Sequence, residues 1–558
     1  MSPEDGRVPV FEIQDLHVWF DTGSTRRHVS EVHIVKGISL SVAPGERLGL
    51  VGESGCGKTT TILASLGLLP PSASVSGRIL LEGKDILAEG EKTVGPHRWN
   101  DIAMVFQGAM NAFNPVKTVG WQIAEALRVH HTVEPRQRRA RVAELLELVG
   151  ISGENADRFP HEFSGGMKQR AVIAMALACN PKVLLADEPT TALDVVVQNQ
   201  ILALLTKLSE ELDLALILVT HDLAVVAQTC ERAAVMLEGR IVEQGPMTEL
   251  YRHPQHSYTR QLFESTPDVF AAPVAAHEIA PVATPLLEVA DLVVSYGGRR
   301  SWLAARRNRP SNDTLAVDGI SLRVQPSEML ALVGQSGCGK TSTVQAILGM
   351  VPTSGGSIKV AGTEVTGLRR AQWRPLRRRV QMIYQDPYES LDIRFRVRQT
   401  LEEPLRIHGI GKSAKERTRI ISEALERVDM TPPERYLGRY PHELSGGQRQ
   451  RVAIAASLVL DPTLLLADEP VSMLDVSVRS GVLDLLDNLR RDLGMGILMI
   501  THDLSTAANY ADRIAVMNQG HIVEQGPAWD VVNAPTHDYT KTLLAAVPSP
   551  DPEVRRVG

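Results

Sequence analysis

The sequence predicts an α/β fold in two similar halves, each built on a parallel β-sheet that carries a phosphate-binding loop. Three observations support this fold class. The pattern G-x-x-x-x-G-K-S/T occurs twice, as "GESGCGKTT" from Gly52 and as "GQSGCGKTS" from Gly334. The motifs that follow recur at one spacing, so that Asp187 and Asp468, for example, lie 281 positions apart. Short apolar runs such as "KVLLAD" and "LALILVTH" end at these motifs, and such runs are typical of strands buried on both faces of a parallel sheet.

Length and composition indicate a multidomain globular protein. The chain has 558 residues, more than the roughly 250–300 at which a single hydrophobic core stops growing. The formal net charge of −6 gives no overall basic field of the kind that nucleic-acid-binding proteins use. The N-terminus has no signal-peptide pattern, and no window holds the about 18 consecutive apolar residues of a membrane span. We therefore expect a cytoplasmic protein that binds no nucleic acid.

The four cysteines predict neither a disulfide framework nor a zinc or iron–sulfur site, because they form no C-x-x-C pair. Two of them, Cys56 and Cys338, lie inside the repeated loops. We expect the neighbouring lysine and backbone N–H groups to favour the thiolate form there. We expect both cysteines to react with maleimide and to be protected by a bound nucleotide.

Each repeated loop has the residue types that wrap a polyphosphate. Backbone N–H groups cradle the phosphates, the lysine reaches the β and γ phosphates, and the following threonine binds Mg²⁺. Glycines permit close approach of the backbone to the ligand and positive φ angles. The predicted ATP-binding residues are Gly52, Ser54, Gly55, Cys56, Gly57, Lys58, Thr59 and Thr60 in the first loop, and Gly334, Ser336, Gly337, Cys338, Gly339, Lys340, Thr341 and Ser342 in the second.

An Asp-Glu pair follows an apolar strand in each half. Asp187 and Asp468 are placed to hold Mg²⁺ through water, and Glu188 and Glu469 are placed to orient the attacking water as general bases. The alternative is an acidic pair that merely caps a helix. Its occurrence downstream of a phosphate loop in both halves favours the catalytic interpretation.

A histidine follows another apolar strand in each half, in "LVTHD" and "MITHD". His221 and His502 are therefore candidates for hydrogen bonding to the γ-phosphate. An isolated histidine more often has a structural role, and only the duplication and the preceding strand favour the functional interpretation.

Two Ser-Gly motifs complete the set, "SGGMKQR" from Ser164 and "SGGQRQR" from Ser445. Small residues at a helix start expose backbone N–H groups where the helix dipole favours anions. Together and in this order, the motifs resemble those of the ATP-binding cassette family along essentially the whole chain. The resemblance implies two P-loop NTPase cassettes, each with a parallel-sheet core and a helical signature subdomain, arranged head-to-tail around two molecules of ATP with Mg²⁺. The implied signature residues are Ser164, Gly165, Gly166, Ser445, Gly446, Gly447 and Gln448, with Met167 where the second copy has glutamine.

The resemblance implies three further pairs of site residues. Gln107 and Gln385 are implied to sense Mg²⁺ and the γ-phosphate beside the groove for membrane subunits. Asp194 and Asp475 are implied to communicate across the cassette pair. Phe20 and Tyr296 are implied to stack on adenine. For Phe20, packing in the core is the alternative, because its spacing to the phosphate loop is irregular.

The domain boundaries follow from an Ala/Pro-rich stretch without periodicity at 265–285, which we interpret as a linker. The predicted domains are a first cassette at 1–264 and a second at 286–558.

Each predicted cassette ends in a shared tail, P-x-H-x-Y-T-R/K-x-L, that resembles the peptide and nickel importer branch of the family. This resemblance implies two permease subunits and an extracytoplasmic substrate-binding protein as partners, and a peripheral location on the cytoplasmic face of the inner membrane. Peptide is the expected cargo, with a nickel chelate, glutathione or another small solute left open.

Two other functions fit a tandem ATPase without membrane spans. A translation factor would be expected to have a long, charged, helical linker, and a DNA-repair ATPase would be expected to have long insertions between phosphate loop and signature. This chain has neither, and copurification with membrane proteins rather than ribosomes or DNA would separate these two functions from the transporter.

The Arg-rich insert at 297–314 is expected to be a solvated loop, with contact to lipid or a permease as the alternative.

Overall fold

The chain forms two compact units in the computed structural model. The first comprises Met1–Thr266 with Pro548–Gly558, and the second comprises Pro267–Val547. The structure describes residues 8–21, 31–108, 112–191, 193–266, 269, 284–296, 314–369, 372–386, 390–472, 474 and 476–554. Of the Arg-rich insert, only Thr314 is among the described residues.

The first unit contains ten described strands in two sheets. They are β1 Phe11–Asp21, β2 Glu31–Val42, β3 Arg47–Val51, β4 Ala73–Leu81, β5 Lys84–Asp85, β6 Ile102–Val105, β7 Val183–Asp187, β8 Ala215–Thr220, β9 Arg232–Leu237 and β10 Arg240–Pro246. One sheet has the order β2-β1-β4-β5 with antiparallel pairing, and the other has the order β10-β9-β3-β8-β7-β6. The pairs among the last five strands are parallel, and β10 joins β9 antiparallel.

Helices cover the six-stranded sheet and fill the segment between β6 and β7. The helices described in the first unit are α1 Lys58–Ser65, α2 Glu91–Val94, α3 Val119–Val129, α4 Arg138–Leu148, α5 Gly165–Ala176, α6 Val195–Glu211, α7 Leu223–Thr229, α8 Met247–Arg252 and α9 Ser257–Glu264. Short 3-10 turns span Gly95–His97, Gly153–Asp157 and Pro160–Glu162. Buried residues of α3, α4 and α5, such as Ile123, Leu145 and Val172, share one hydrophobic cluster. These three helices are the helical subdomain that the resemblance implies.

The second unit repeats this arrangement. Its described strands are β11 Leu287–Tyr296, β12 Thr314–Val324, β13 Met329–Val333, β14 Gly355–Val360, β15 Thr363–Glu364, β16 Val380–Ile383, β17 Leu464–Asp468, β18 Gly496–Thr501, β19 Arg513–Asn518 and β20 His521–Pro527. The sheets have the orders β12-β11-β14-β15 and β16-β17-β18-β13-β19-β20. The described helices are α10 Lys340–Ile347, α11 Trp373–Arg379, α12 Val397–His408, α13 Ala414–Arg427, α14 Glu434–Leu437, α15 Gly446–Leu458, α16 Val476–Leu493, α17 Leu504–Tyr510, α18 Ala528–Asn533 and α19 Asp538–Ala546, with a 3-10 turn at Pro441–Glu443.

The parallel core forms where the sequence predicts it. Strands β3, β7 and β8 are buried at every position, because helices pack on one face of the sheet and the four-stranded antiparallel sheet packs with α1 on the other. The α/β fold in two similar halves is confirmed. The four-stranded antiparallel sheets and the antiparallel edge strands β10 and β20 were not part of the prediction. In the described part of the chain, no helix is both long and apolar enough to cross a membrane.

The C-terminal segment 548–554 packs on the first unit. Gln228 of α7 donates from Nε2 to the backbone oxygens of Ser549 and Asp551, at 2.9 and 3.1 Å. Arg252 of α8 forms an ion pair with Glu553. These contacts group the segment with the first unit, whereas the predicted domain 286–558 assigns it to the second.

Candidate functional site

The predicted site residues of each unit meet at the carboxyl ends of neighbouring parallel strands. In the first unit β3 pairs with β8 so that Val51 lies opposite Thr220, and β8 pairs with β7 so that Val219 lies opposite Asp187. The phosphate loop, the carboxylate pair and the histidine follow directly from these three strand ends. This is the edge at which ligands of open α/β sheets bind.

The first phosphate loop connects β3 to α1 and needs its glycines for close packing. A Cβ atom at Gly52 would lie 2.2 Å from the backbone oxygen of Met236. Gly57 has a φ of 107° and is the N-cap of α1. The buried Lys58 donates from Nζ to the backbone oxygens of Gly52 and Glu53, at 2.6 and 2.9 Å. The loop thus closes around the lysine at the positive end of a helix, which suits a polyphosphate ligand.

The second loop, between β13 and α10, has the same geometry. A Cβ at Gly334 would lie 2.2 Å from the backbone oxygen of Met517. Lys340 donates to the backbone oxygens of Gly334 and Gln335, at 2.6 and 2.9 Å. In both loops the serine before the lysine, the glycine that follows this serine and the threonine after the lysine are exposed, and these are Ser54, Gly55, Thr59, Ser336, Gly337 and Thr341. Thr60 and Ser342, one position later in each helix, are half-buried.

The oxygen atoms expected to bind Mg²⁺ lie side by side. Thr59 donates from Oγ1 to Asp187 Oδ1 at 3.3 Å. Burial raises the pKa of Asp187 to about 6, and the charge of Glu188 adds to the rise, against the bond from Thr59 and the charge of Lys58. In the second unit burial likewise raises the pKa of Asp468 to about 6. A hydroxyl and one carboxylate fit Mg²⁺, which usually keeps water and binds few protein ligands.

Glu188 is held by three side chains. Gln107 donates from Nε2 to its Oε2 at 2.6 Å, Thr191 donates to the same oxygen at 2.9 Å, and His221 Nδ1 lies 3.1 Å from Oε1. Burial opposes ionisation, but the bonds from His221 and Thr191 and the charge of Lys58 lower the pKa of Glu188 to about 2. The carboxylate is therefore ionised and fixed in direction.

The second unit holds Glu469 in nearly the same way. Gln385 donates to Oε2 at 2.8 Å, and His502 Nδ1 lies 3.0 Å from Oε1. Although burial opposes both effects, this contact lowers the pKa of Glu469 and raises the pKa of His502. Glu188 and Glu469 have φ angles of 44° and 45°, a region that non-glycine residues seldom occupy and that is found at functional sites.

The two sites differ in one contact that the sequence analysis missed. Thr191 bonds the carboxylate of Glu188, whereas Ser472 at the equivalent position donates to the backbone oxygen of Glu469. The sequence signal is the difference between "DEPTT" and "DEPVS". Glu188 therefore has one more hydrogen-bond donor on its carboxylate than Glu469 has among the described contacts.

The signature motifs begin helices in both units. Ser164 is the N-cap of α5 and accepts from the backbone N–H of Met167, and Ser445 caps α15 by accepting from Gln448. The backbone N–H of Ser445 in turn donates to Oε1 of Gln448, which completes a capping box. Met167 has no such oxygen.

The signature glycines allow close helix packing. Gly166 and Gly447 lie within the first turns of α5 and α15, and a Cβ there would come within 2.6 and 2.5 Å of Val197 and Val478. Gly165 and Gly446 are the first residues of α5 and α15.

The two candidate adenine-stacking residues have different surroundings. Tyr296 is 46% exposed, and its hydroxyl donates to Ser342 Oγ at 3.3 Å, at the start of α10. Phe20 is half-buried and packs against the hydrophobic cluster of the first unit. Tyr296 is therefore exposed beside its phosphate loop and Phe20 contacts apolar residues, and the adenine-stacking role of both stays a prediction.

The remaining predictions have mixed outcomes. Asp194 is the N-cap of α6 and accepts from the N–H of Val197, whereas Asp475 lies outside the described residues. The expected activation of the loop thiols is wrong for Cys338, because burial raises its pKa despite the nearby Lys340. Cys56 is likewise buried. The roles of the signature, histidine and glutamine side chains stay predictions.

Comparison with known proteins gives family matches in both halves. A family model described as ABC transporter matches residues 35–191 and 317–472, and one described as the C-terminal region of oligopeptide/dipeptide transporters matches 242–284 and 523–558. Glutathione import ATP-binding protein GsiA of Pectobacterium atrosepticum is 40% identical over 577 residues, covering 98% of this chain and 91% of its own. The protein of the same name in Escherichia coli is 39% identical over 579 residues, with the same coverage. Among solved structures, a part of the cbiONQ ABC transporter complex of Clostridium perfringens covers 45% of this chain and 92% of its own, at 27% identity and a TM-score of 0.39.

Proposed function

The chain belongs to the ABC transporter family, and on that premise we propose that it drives a binding-protein-dependent importer of small peptides. It is an ATPase of the transport type that uses ATP and Mg²⁺. The observation that supports the ATPase role is the presence, in each unit, of a phosphate loop, a buried carboxylate that we assign to Mg²⁺ and an ionised glutamate at one sheet edge.

The residues of each unit account for the hydrolytic step. Lys58 and the loop N–H groups bind the phosphates, and Mg²⁺ supplies charge neutralisation when bound beside Thr59 and Asp187. Glu188 accepts the proton of the attacking water. In the described conformation Gln107 and Thr191 occupy its Oε2, so this oxygen becomes a better base once Gln107 turns toward the nucleotide.

We assign the two ATP molecules to composite sites in which each phosphate loop is completed by the signature of the other cassette. Both cassettes carry the glutamate and the histidine, so both sites are expected to hydrolyse ATP. The first site would use the signature with Gln448 and the second the signature with Met167. Since the Met167 helix keeps its serine cap and the backbone N–H groups of its first turn, we expect the second site to remain active.

The cargo proposal rests on the tail. The match to the oligopeptide/dipeptide transporter region in both halves favours peptides. The relatives are named for glutathione import, and glutathione is itself a small peptide, so it is the second candidate. Uptake by cells that carry or lack this chain, with labelled dipeptide, longer peptide and glutathione in competition, would rank them. Uptake of a nickel chelate or another solute alone would overturn the peptide assignment.

The partners proposed are two permease subunits and an extracytoplasmic substrate-binding protein, with the chain held at the cytoplasmic face of the inner membrane by the permeases. We expect permease loops to contact the surfaces at 107–115 and 385–392, of which 109–111 and 387–389 lie outside the described residues. Crosslinking from permease loops to these segments tests the assignment. Crosslinks elsewhere only, or copurification with ribosomes or DNA instead of membrane proteins, would contradict it.

A further inference from the structure

We infer that Tyr258 and Tyr539 are positioning residues of the two ATP sites, each fixing one peptide group of its phosphate loop. The backbone N–H of Glu53 donates to the hydroxyl oxygen of Tyr258 at 3.1 Å. In the second unit the N–H of Gln335 donates to Tyr539 at 3.2 Å. The same contact therefore occurs independently in both units, between residues 205 and 204 positions apart.

The peptide group held by the tyrosine is the one that receives the lysine. The N–H of Glu53 and the carbonyl of Gly52 belong to one planar peptide unit. Tyr258 binds its N–H, and Lys58 binds its oxygen at 2.6 Å from the opposite side. This peptide cannot rotate without breaking both bonds, so the tyrosine sets the direction in which the phosphate-binding lysine is held.

The tail motif fixes the tyrosine in turn. His256 is the N-cap of α9, and its Nδ1 accepts from the N–H of Tyr258 at 3.2 Å. Glu243 of β10 accepts from the N–H groups of Gln255 and His256, at 2.8 and 3.0 Å. These hydrogen bonds thus link an edge strand, through a helix cap, to the phosphate loop.

The second unit has the same series of hydrogen bonds. His537 accepts from the N–H of Tyr539 at 3.1 Å, and Glu524 accepts from the N–H groups of Thr536 and His537. The histidine and the tyrosine of the P-x-H-x-Y-T pattern are thereby both explained by one task, which is to hold the phosphate loop. Neither residue was among the site residues that the sequence analysis named.

Removal of the hydroxyl leaves the loop N–H without this acceptor, at a place that water reaches poorly in the first unit, where Tyr258 is 8% exposed, and reaches in part in the second, where Tyr539 is half-buried. The peptide then turns to find another partner and the lysine loses its fixed anchor. We expect Tyr258→Phe and Tyr539→Phe each to weaken MgATP binding about 3- to 10-fold at its own site, the range given by one lost hydrogen bond.

The test uses the full chain and titration calorimetry with MgATP, followed by steady-state ATPase rates. Each single variant is expected to show one wild-type and one weakened site, with KM raised and kcat at saturation changed less than about 2-fold. The matched control is Tyr510→Phe, which removes a hydroxyl bond to Asp484 and not to a phosphate loop. A merely structural role would instead lower the thermal midpoint and kcat, and that result would overturn the inference.

The inference rests on the proposed use of the two loops as ATP sites, and the two can fail separately. If Lys58→Ala and Lys340→Ala leave MgATP affinity unchanged, the assignment of the loops is wrong. If these variants lose affinity while both tyrosine variants bind as tightly as wild type, only the positioning role is wrong.

Discussion

The docking of the C-terminal segment on the first unit gives a prediction whose size follows from the contacts. Gln228 is 7% exposed, and its side-chain amide donates hydrogen bonds to the backbone oxygens of Ser549 and Asp551. Gln228→Met keeps nearly the same volume and removes both bonds. A hydrogen bond contributes about 0.5–1.5 kcal/mol net, so the first unit should lose about 2 kcal/mol.

A loss of this size lowers the thermal midpoint of the first unit by about 4 °C or more, since 1 kcal/mol corresponds to about 2–4 °C for a unit of this size. Scanning calorimetry of the full chain measures the shift. A local readout comes from Val554→Cys, because Val554 is 43% exposed and the four native cysteines are buried. A fluorophore attached there should lose anisotropy in the Gln228→Met background.

Two controls separate the buried amide from the exposed ion pair beside it. Glu553→Gln removes the partner of Arg252, but both side chains are more than half exposed, so the midpoint should move by less than about 2 °C. Asn509, the equivalent of Gln228 in the second unit, donates to Ser505 of its own helix. Asn509→Leu should leave the label anisotropy unchanged. If Gln228→Met changes neither the midpoint nor the anisotropy, Gln228 does not hold the C-terminal segment.

Three further predictions concern the ATP sites. Glu188→Gln and Glu469→Gln should each slow phosphate release from ATP about 10²-fold, the scale of a lost general base, and one tolerated substitution would show that the sites are unequal. Burial raises the pKa values of Asp187 and Asp468 to about 6, so these carboxylates take up protons as the pH falls through about 6. The protons then compete with Mg²⁺ for the carboxylate oxygens. Mg²⁺-dependent ATP affinity, titrated from pH 8 to 5, should therefore fall in that range, and replacement of both by Asn should remove this step. Tyr296→Ala should raise the KM for ATP about 5-fold through lost stacking without changing inhibition by inorganic triphosphate, and an equal loss of triphosphate binding would contradict the adenine role.

The sequence by itself determined the α/β class, the duplication and the local chemistry of each phosphate loop. These features depend on contiguous residues, since apolar runs select buried strands and glycines permit the loop backbone. The tail was recognised as a motif, and its histidine cap on the adjacent helix turn is also a local feature.

Only the tertiary structure decided which distant groups share a hydrogen bond. Glu188 meets Gln107 across 81 positions, Tyr258 meets Glu53 across 205, and Gln228 meets Ser549 across 321. No local pattern encodes these pairs, because each depends on how strands and helices from separate parts of the chain pack at one sheet edge or one surface. Thr191 and Ser472, two similar hydroxyls at equivalent positions, likewise reach different oxygens of the glutamate three residues earlier, and only the folded structure shows which one each hydroxyl reaches.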